Sequence, residues 1–182
     1  MAIARPRDIL DFWFAAGPLK WFAKDASLDA EIRKRFAETH DVASRGGLDD
    51  WMKEAQGALA LIIVLDQFSR NLYRDDHRAF VNDGKALALA RDAISRRMDV
   101  EVPMTARQWF YLPFMHAEDM AAQEESLRYH STRLEDAEVF RFAEIHADII
   151  KRFGRFPHRN AVLGRASTPA EESFLASGGF AG

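Results

Sequence analysis

The chain has 182 residues, 48% hydrophobic and 29% charged, with a net charge of -3 and no cysteine. A chain of this size buries a core without a covalent staple. The missing cysteines exclude thiol catalysis, disulfides and cysteine-bound zinc, and the mildly acidic balance argues against a nucleic-acid partner.

Apolar spacing is helical almost throughout, and no segment alternates as a strand does. A first helix over residues 4–15 carries Ile9, Leu10, Trp13 and Phe14, with Pro6 in its first turn and Gly17-Pro18 as its stop. A second covers 28–45 and ends at Gly46-Gly47. Residues 48–73 read as one long helix with a bend near Gly57, and residues 80–97 as the next. Thr105 opens a helix with Gln108 at the capping-box position, and Pro113 is expected to kink or split it. Helical spacing resumes over 116–134 and again over 138–153, where Gly154 supplies a C-cap. Thr168-Pro169-Ala170-Glu171 combines an N-cap, a first-turn proline and a capping-box glutamate. The expectation is one all-α domain over residues 1–182, with seven to eight helices in antiparallel hairpins. A bundle and a tetratricopeptide-like superhelix both remain open, since no 34-residue repeat appears. The amino terminus lacks a signal-type apolar stretch, and the longest apolar run, 58–65, is too short for a bilayer. A cytoplasmic protein with no membrane partner is expected.

Several polar side chains fall in register with apolar stripes. In GALALIIVLDQFSRNLYR, Asp66 and Arg70 are four apart near the end of a helix apolar on several sides, with Gln67 and Arg74 beside them. A buried pair that fixes packing explains Asp66 and Arg70 as well as a binding role does. His146 sits inside the stripe Val139, Phe142, Ala143, Ile149, Ile150 and Phe153, where a packed core histidine is the commoner outcome. His116 shares a stripe with Met120, Gln123, Leu127 and Leu134, while Glu118 and Asp119 suit a helix N-terminus. His116, Glu118 and His146 lack a metal-ligand spacing, so no metal is expected and no cofactor is identified.

The loop FGRFPHRN, residues 153–160, follows the His146 stripe. Phe153 and Phe156 can anchor it and Pro157 stiffens it, presenting Arg155, His158 and Arg159. Arg165 lies just ahead of the Thr168 helix start, where free N–H groups and arginine forks suit an anion. The competing explanation is an anchored loop whose arginines pair with acids such as Asp66 or Glu118.

Together DQFSRNLYRDD (66–76) and FGRFPHRNAVLGRASTPAEESFL (153–175) resemble the bacterial domain-of-unknown-function 924 family. The likeness extends to DFWF, KWFAKD and WFYLPFMHAED. It implies an all-α fold similar to tetratricopeptide-like superhelices and no established activity.

Three functions compete. The favoured one is a small anionic ligand in an interhelical pocket of Asp66, Gln67, Arg70, Arg74, His116, His146, Arg155, His158 and Arg165, all converging on one cavity. The second is a protein- or peptide-binding scaffold, supported by fold analogy. The third is a hydrolase or transferase with His146 or His158 as general base, oriented by Asp66 or Glu118. For that enzyme Ser69 is the nearest nucleophile, yet no nucleophile-elbow glycines surround it. Whether the chain is an enzyme, and its oligomeric state, are not legible in the sequence.

Overall fold

The computed structural model describes residues 3–180, which are helical and contain no strand. Contacts divide the chain into two compact units, one of Met1–Arg74 and Arg78–Pro113 and one of Asp75–His77 and Phe114–Gly182.

In the first unit α1 (Pro6–Ala16) begins with Pro6 at its first position and buries Ile9 and Trp13. A single turn, α2 (Pro18–Trp21), brings the Trp21 indole N–H to the Trp13 carbonyl at 2.7 Å. Asp25 caps α3 (Ala26–Ser44) by accepting from the Ser27 and Leu28 amides. The buried face of α3, Leu28, Ile32, Phe36 and Ala43, keeps helical spacing.

The single helix expected over 48–73 is divided. A 3-10 turn, Asp49–Lys53, ends at Glu54, whose φ of -133° and ψ of 149° are extended. Then come α4 (Ala55–Ile63), a π-helical stretch Val64–Phe68 and α5 (Ser69–Leu72), which continue one another. Gly57 explains the break: a Cβ there would sit 2.2 Å from the Trp51 carbonyl oxygen, so only glycine lets the 3-10 turn fold back onto α4. Every residue of 57–63 is buried, which makes α4 the central helix of this unit. It packs against α1 and against α6 (Asp83–Ser95), which faces it with the small residues Ala86, Ala90 and Ala93. A 3-10 turn at Met98–Val100 leads to α7 (Met104–Met115). Pro113 neither splits nor ends α7; it lies inside the last turn, two residues before the terminus, and the helix starts at Met104 rather than at Thr105. Trp109 of α7 meets Trp13 at 5.1 Å and Trp21 at 5.0 Å between ring centroids, both edge to face.

In the second unit α8 (Met120–Arg133) starts four residues later than the expected 116–134 helix, because Asp119 caps it through the Ala122 amide. His116 therefore lies in the turn before α8. Gln123 of α8 closes that turn, donating to the carbonyls of Phe114, Met115 and Ala117. Asp136 caps α9 (Ala137–Phe153), which forms a hairpin with α8 and ends on Gly154 at φ 70°. A 3-10 turn, Pro157–Arg159, and α10 (Pro169–Ala176) follow, the latter with the complete Thr168–Glu171 capping box. Ile149, Ile150 and Phe156 form the core of this unit. Phe142, expected on the buried stripe of α9, is 45% exposed. Among the described residues no helix is long and apolar enough to cross a membrane.

Candidate functional site

The expected site residues are shared between the units. Asp66, Gln67, Arg70 and Arg74 belong to the first, and His116, His146, Arg155, His158 and Arg165 to the second.

In the first unit every expected side chain has a protein partner. Asp66 is buried on the π-helical stretch and accepts from Gln67 Nε2 at 2.6 Å and from Arg70 Nη1 at 3.2 Å. Arg70 also grips both carboxylate oxygens of Asp83, at 3.0 and 3.1 Å, at the start of α6. Arg74 forks onto Asp29, which Asn71 also reaches at 2.8 Å. Each charge is matched within hydrogen-bond distance, the arrangement a buried pair needs to offset desolvation.

Ser69 lies beside this network with a histidine that sequence reasoning did not select. Its hydroxyl donates to the Leu65 carbonyl at 2.5 Å, so its oxygen accepts the N–H of His40 Nε2 at 2.8 Å. The proton thus runs from His40 to Ser69, opposite to the direction a general base requires. Both residues are buried, and burial pushes the His40 imidazole down to about 4. The pair is a packing device.

The second unit builds its site around the 153–160 loop. Phe156 is fully buried and anchors the loop. Arg155 forks onto Glu171 at 2.6 and 2.8 Å and donates to the Ala166 carbonyl at 2.8 Å. The Arg155 fork, with the Thr168 amide, holds the Glu171 carboxyl down to about 2. Arg165 forks onto Glu118 at 2.6 and 2.9 Å, and Glu118 also accepts the Phe156 amide at 2.7 Å. Burial alone would raise the Glu118 carboxyl; the Arg165 fork and that amide outweigh it and hold it below its usual range. Asn160 ties the two clamps, accepting from Arg165 Nε at 3.0 Å and donating to Glu171 Oε2 at 3.3 Å. Two acids outside the loop thus hold it rigid.

Basic side chains gather behind this rigid loop. His116 and His146 stand 6.3 Å apart between ring centroids. His158 packs against Phe156 at 5.7 Å, and the Arg159 guanidinium lies 4.5 Å above the same ring. Arg159 is only 6% exposed, an unusual burial for a cation. Burial first, then the positive charge of His116, Arg159 and His158, pushes His146 down to about 3. Burial and His116 likewise lower His130 to about 4. The Phe142 carbonyl, 2.7 Å from His146 Nδ1, can only accept, so the proton sits on Nδ1 and Nε2 carries the lone pair. The Ser126 carbonyl fixes the same tautomer in His130 at 2.8 Å. His116, His146, His158 and Arg159 therefore share one neighbourhood, His130 adjoins it through His116, and Glu118, forked by Arg165, also lies within reach of the Arg159 charge.

His130 and Arg159 are absent from the sequence-derived set. His130 stands in a polar stretch, YHSTR, that reads as a solvated face, and the burial of Arg159 depends on how the loop folds. Among the described residues no group of three or more histidine or acidic side chains could hold a metal ion.

Comparison with known proteins gives a family but no activity. A family model described as a bacterial protein of unknown function (DUF924) matches residues 9–179. A solved structure of a protein of unknown function from Agrobacterium tumefaciens is similar, with 44% identity over 94% of this chain and 97% of that one and a TM-score of 0.91. No curated protein matches.

Proposed function

We propose, for a chain that belongs to the bacterial DUF924 family, that its second unit binds a small anionic ligand at the histidine–arginine cluster behind the 153–160 loop. The observation that carries this reading is the buried Arg159 guanidinium set beside His116, His146 and His158 behind a rigid loop. A buried guanidinium carries a desolvation cost, and an anion bound beside it adds to what offsets that cost.

In this reading Arg159 supplies the fixed charge and His116 and His158 supply donors. The Nε2 lone pair of His146 accepts a proton-bearing group of the ligand, such as the hydroxyl of a singly protonated phosphate. Arg155 and Arg165 shape the pocket edge rather than touch the ligand, and Asp66, Gln67, Arg70 and Arg74 hold the first unit together. General-base catalysis by His146 has less support, because an imidazole at about 3 is a weak base and its Nδ1 is held by a carbonyl rather than a carboxylate.

Thermal melting against phosphates, carboxylates and nucleotides tests the proposal. A ligand at about 100 times Kd adds roughly 2.7 kcal/mol, which raises the melting point by about 5–10 °C for a chain of this size. Arg159→Gln should abolish that shift with the fold intact. No shift from any compound would sink the reading.

A further inference from the structure

We propose that the open groove along α9 binds a free α-amino acid with a large apolar side chain. This site is separate from the anion site and uses neither Arg159 nor any histidine.

The groove holds about 290 Å³. That is close to the lower end for small-molecule sites, roughly 300 Å³. Its α9 side is formed by residues 141, 144, 145, 148 and 149, spaced i, i+3, i+4, i+7 and i+8, so they share one helical face. From that face Ile145 and Ile149 supply apolar lining, and Phe174 of α10 and Phe180 supply the rest. The Phe174 wall is fixed before any ligand arrives. Its ring meets Phe153 at 5.2 Å between centroids, and the Arg152 guanidinium lies 5.0 Å over it. The Gly179 amide donates to the Phe174 carbonyl at 3.0 Å. A Cβ on Gly179 would lie 2.6 Å from the Phe174 ring, so only glycine lets the chain close on that side. A preformed apolar groove with a few charged groups at its edge is the usual composition of a small-molecule site.

The edge carries both signs. Arg141, Glu144 and Asp148 line the groove and are exposed. Asp148 also accepts from Arg152 at 3.4 Å. Arg141 and Glu144 lie three apart on α9, near enough to pair with each other. Among the described residues neither side chain makes a hydrogen bond or an ion pair. A ligand of one sign would be attracted by one group and repelled by its neighbour. An α-amino acid carries an ammonium and a carboxylate on the same carbon, and side chains three or four apart on a helix are close enough to meet both. The Arg141 fork takes the carboxylate, and Glu144 and Asp148, four apart, take the ammonium. The ligand side chain then lies against Ile145, Ile149 and Phe174, where burial of apolar surface adds affinity. Each end of a peptide offers only one of the two charges, and a simple carboxylic acid lacks the ammonium.

The test titrates the full chain with L-phenylalanine, phenethylamine and 3-phenylpropionate, following backbone amide signals by NMR. Saturable shifts should fall on residues 141–149 and on Phe174, with L-phenylalanine binding about tenfold more tightly than either single-charge analogue. Arg141→Gln should weaken L-phenylalanine and 3-phenylpropionate about three- to tenfold and spare phenethylamine. Glu144→Gln combined with Asp148→Asn should weaken L-phenylalanine and phenethylamine and spare 3-phenylpropionate. All three side chains are exposed, so the fold survives each change. Arg159→Gln should leave every affinity as it is. Absence of saturable shifts at residues 141–149 overturns the groove site and leaves the anion reading standing. Equal affinities for the three compounds overturn the amino-acid assignment. Loss of L-phenylalanine binding in Arg159→Gln overturns the separation of the two sites.

Discussion

The two units contain similar side chains arranged to opposite effect. In the first, Asp66, Arg70 and Asp83 form a chain of alternating charge, and Arg74 and Asn71 converge on Asp29. His40, Ser69 and Asn82 exchange hydrogen bonds in the interior beside them. In the second, Arg155 and Arg165 fork onto Glu171 and Glu118 at the rim, Glu118 also feels the Arg159 charge, and the buried His146 stands near the half-buried His116 and His158. Matched charges are explained by folding. Buried histidines held well below their ordinary titration cost stability as pH falls, and that contrast directs attention to the second unit.

The largest expected effect breaks the matched side. Arg70→Ala strips the buried Asp66 carboxylate of its guanidinium and also releases Asp83. Removing one partner of a buried pair costs about 3–5 kcal/mol, readable from urea unfolding. A loss under about 1 kcal/mol would place the pair with ordinary surface bridges and erase the contrast.

A pH series sharpens the other side. His40 and His130 are held at about 4 and His146 at about 3, whereas an unfolded histidine titrates near 6.5. The unfolded chain therefore binds protons first as pH falls. Stability is complete above about pH 6.5 and declines toward pH 4 by about 1.4 kcal/mol per pH unit for each histidine. The Glu171 carboxyl, at about 2, gives up its share of stability only below its ordinary titration, so the range between about pH 5 and 6.5 reads the histidines. His146→Phe should make the slope shallower by about 1.4 kcal/mol per pH unit. An unchanged slope would mean that His146 is not held neutral by burial.

Helices were legible because their signals are local. Apolar spacing marks α3 and α9, Pro6 and the Thr168–Glu171 box mark starts, and Gly154 marks a stop. The interruption was legible as a bend near Gly57, but the full break before α4 was not, because it depends on the approach of the Trp51 carbonyl to Gly57, a contact that exists only after folding. The π-helical stretch at Val64–Phe68 has no sequence signal that we can name. The clamps of the 153–160 loop were half legible: arginine–acid pairing with Glu118 was one of two explanations in view, while Glu171 carried a capping signal that hid its bond to Arg155. His130 was missed because a polar residue in a polar stretch gives no hint of burial until tertiary packing covers it, and Arg159, expected among the side chains the loop presents, is instead buried against Phe156.

The smallest effect decides whether the first unit hides chemistry of its own. Ser69 and His40 are spaced as a nucleophile and its base, 2.8 Å apart. The Leu65 carbonyl takes the serine proton, and no exposed surface reaches the hydroxyl, so the pair can only hold α3 against the start of α5. Ser69→Ala then leaves one buried N–H of His40 unsatisfied, a loss of about 1–3 kcal/mol. Ser69→Cys keeps a weak acceptor at the same place and should recover part of that loss. Both variants should keep the ligand-induced melting shift of the wild type, since His116, His146, His158 and Arg159 are untouched. A serine variant that folds with full stability and loses the shift would reverse the assignment and move the functional site into the first unit.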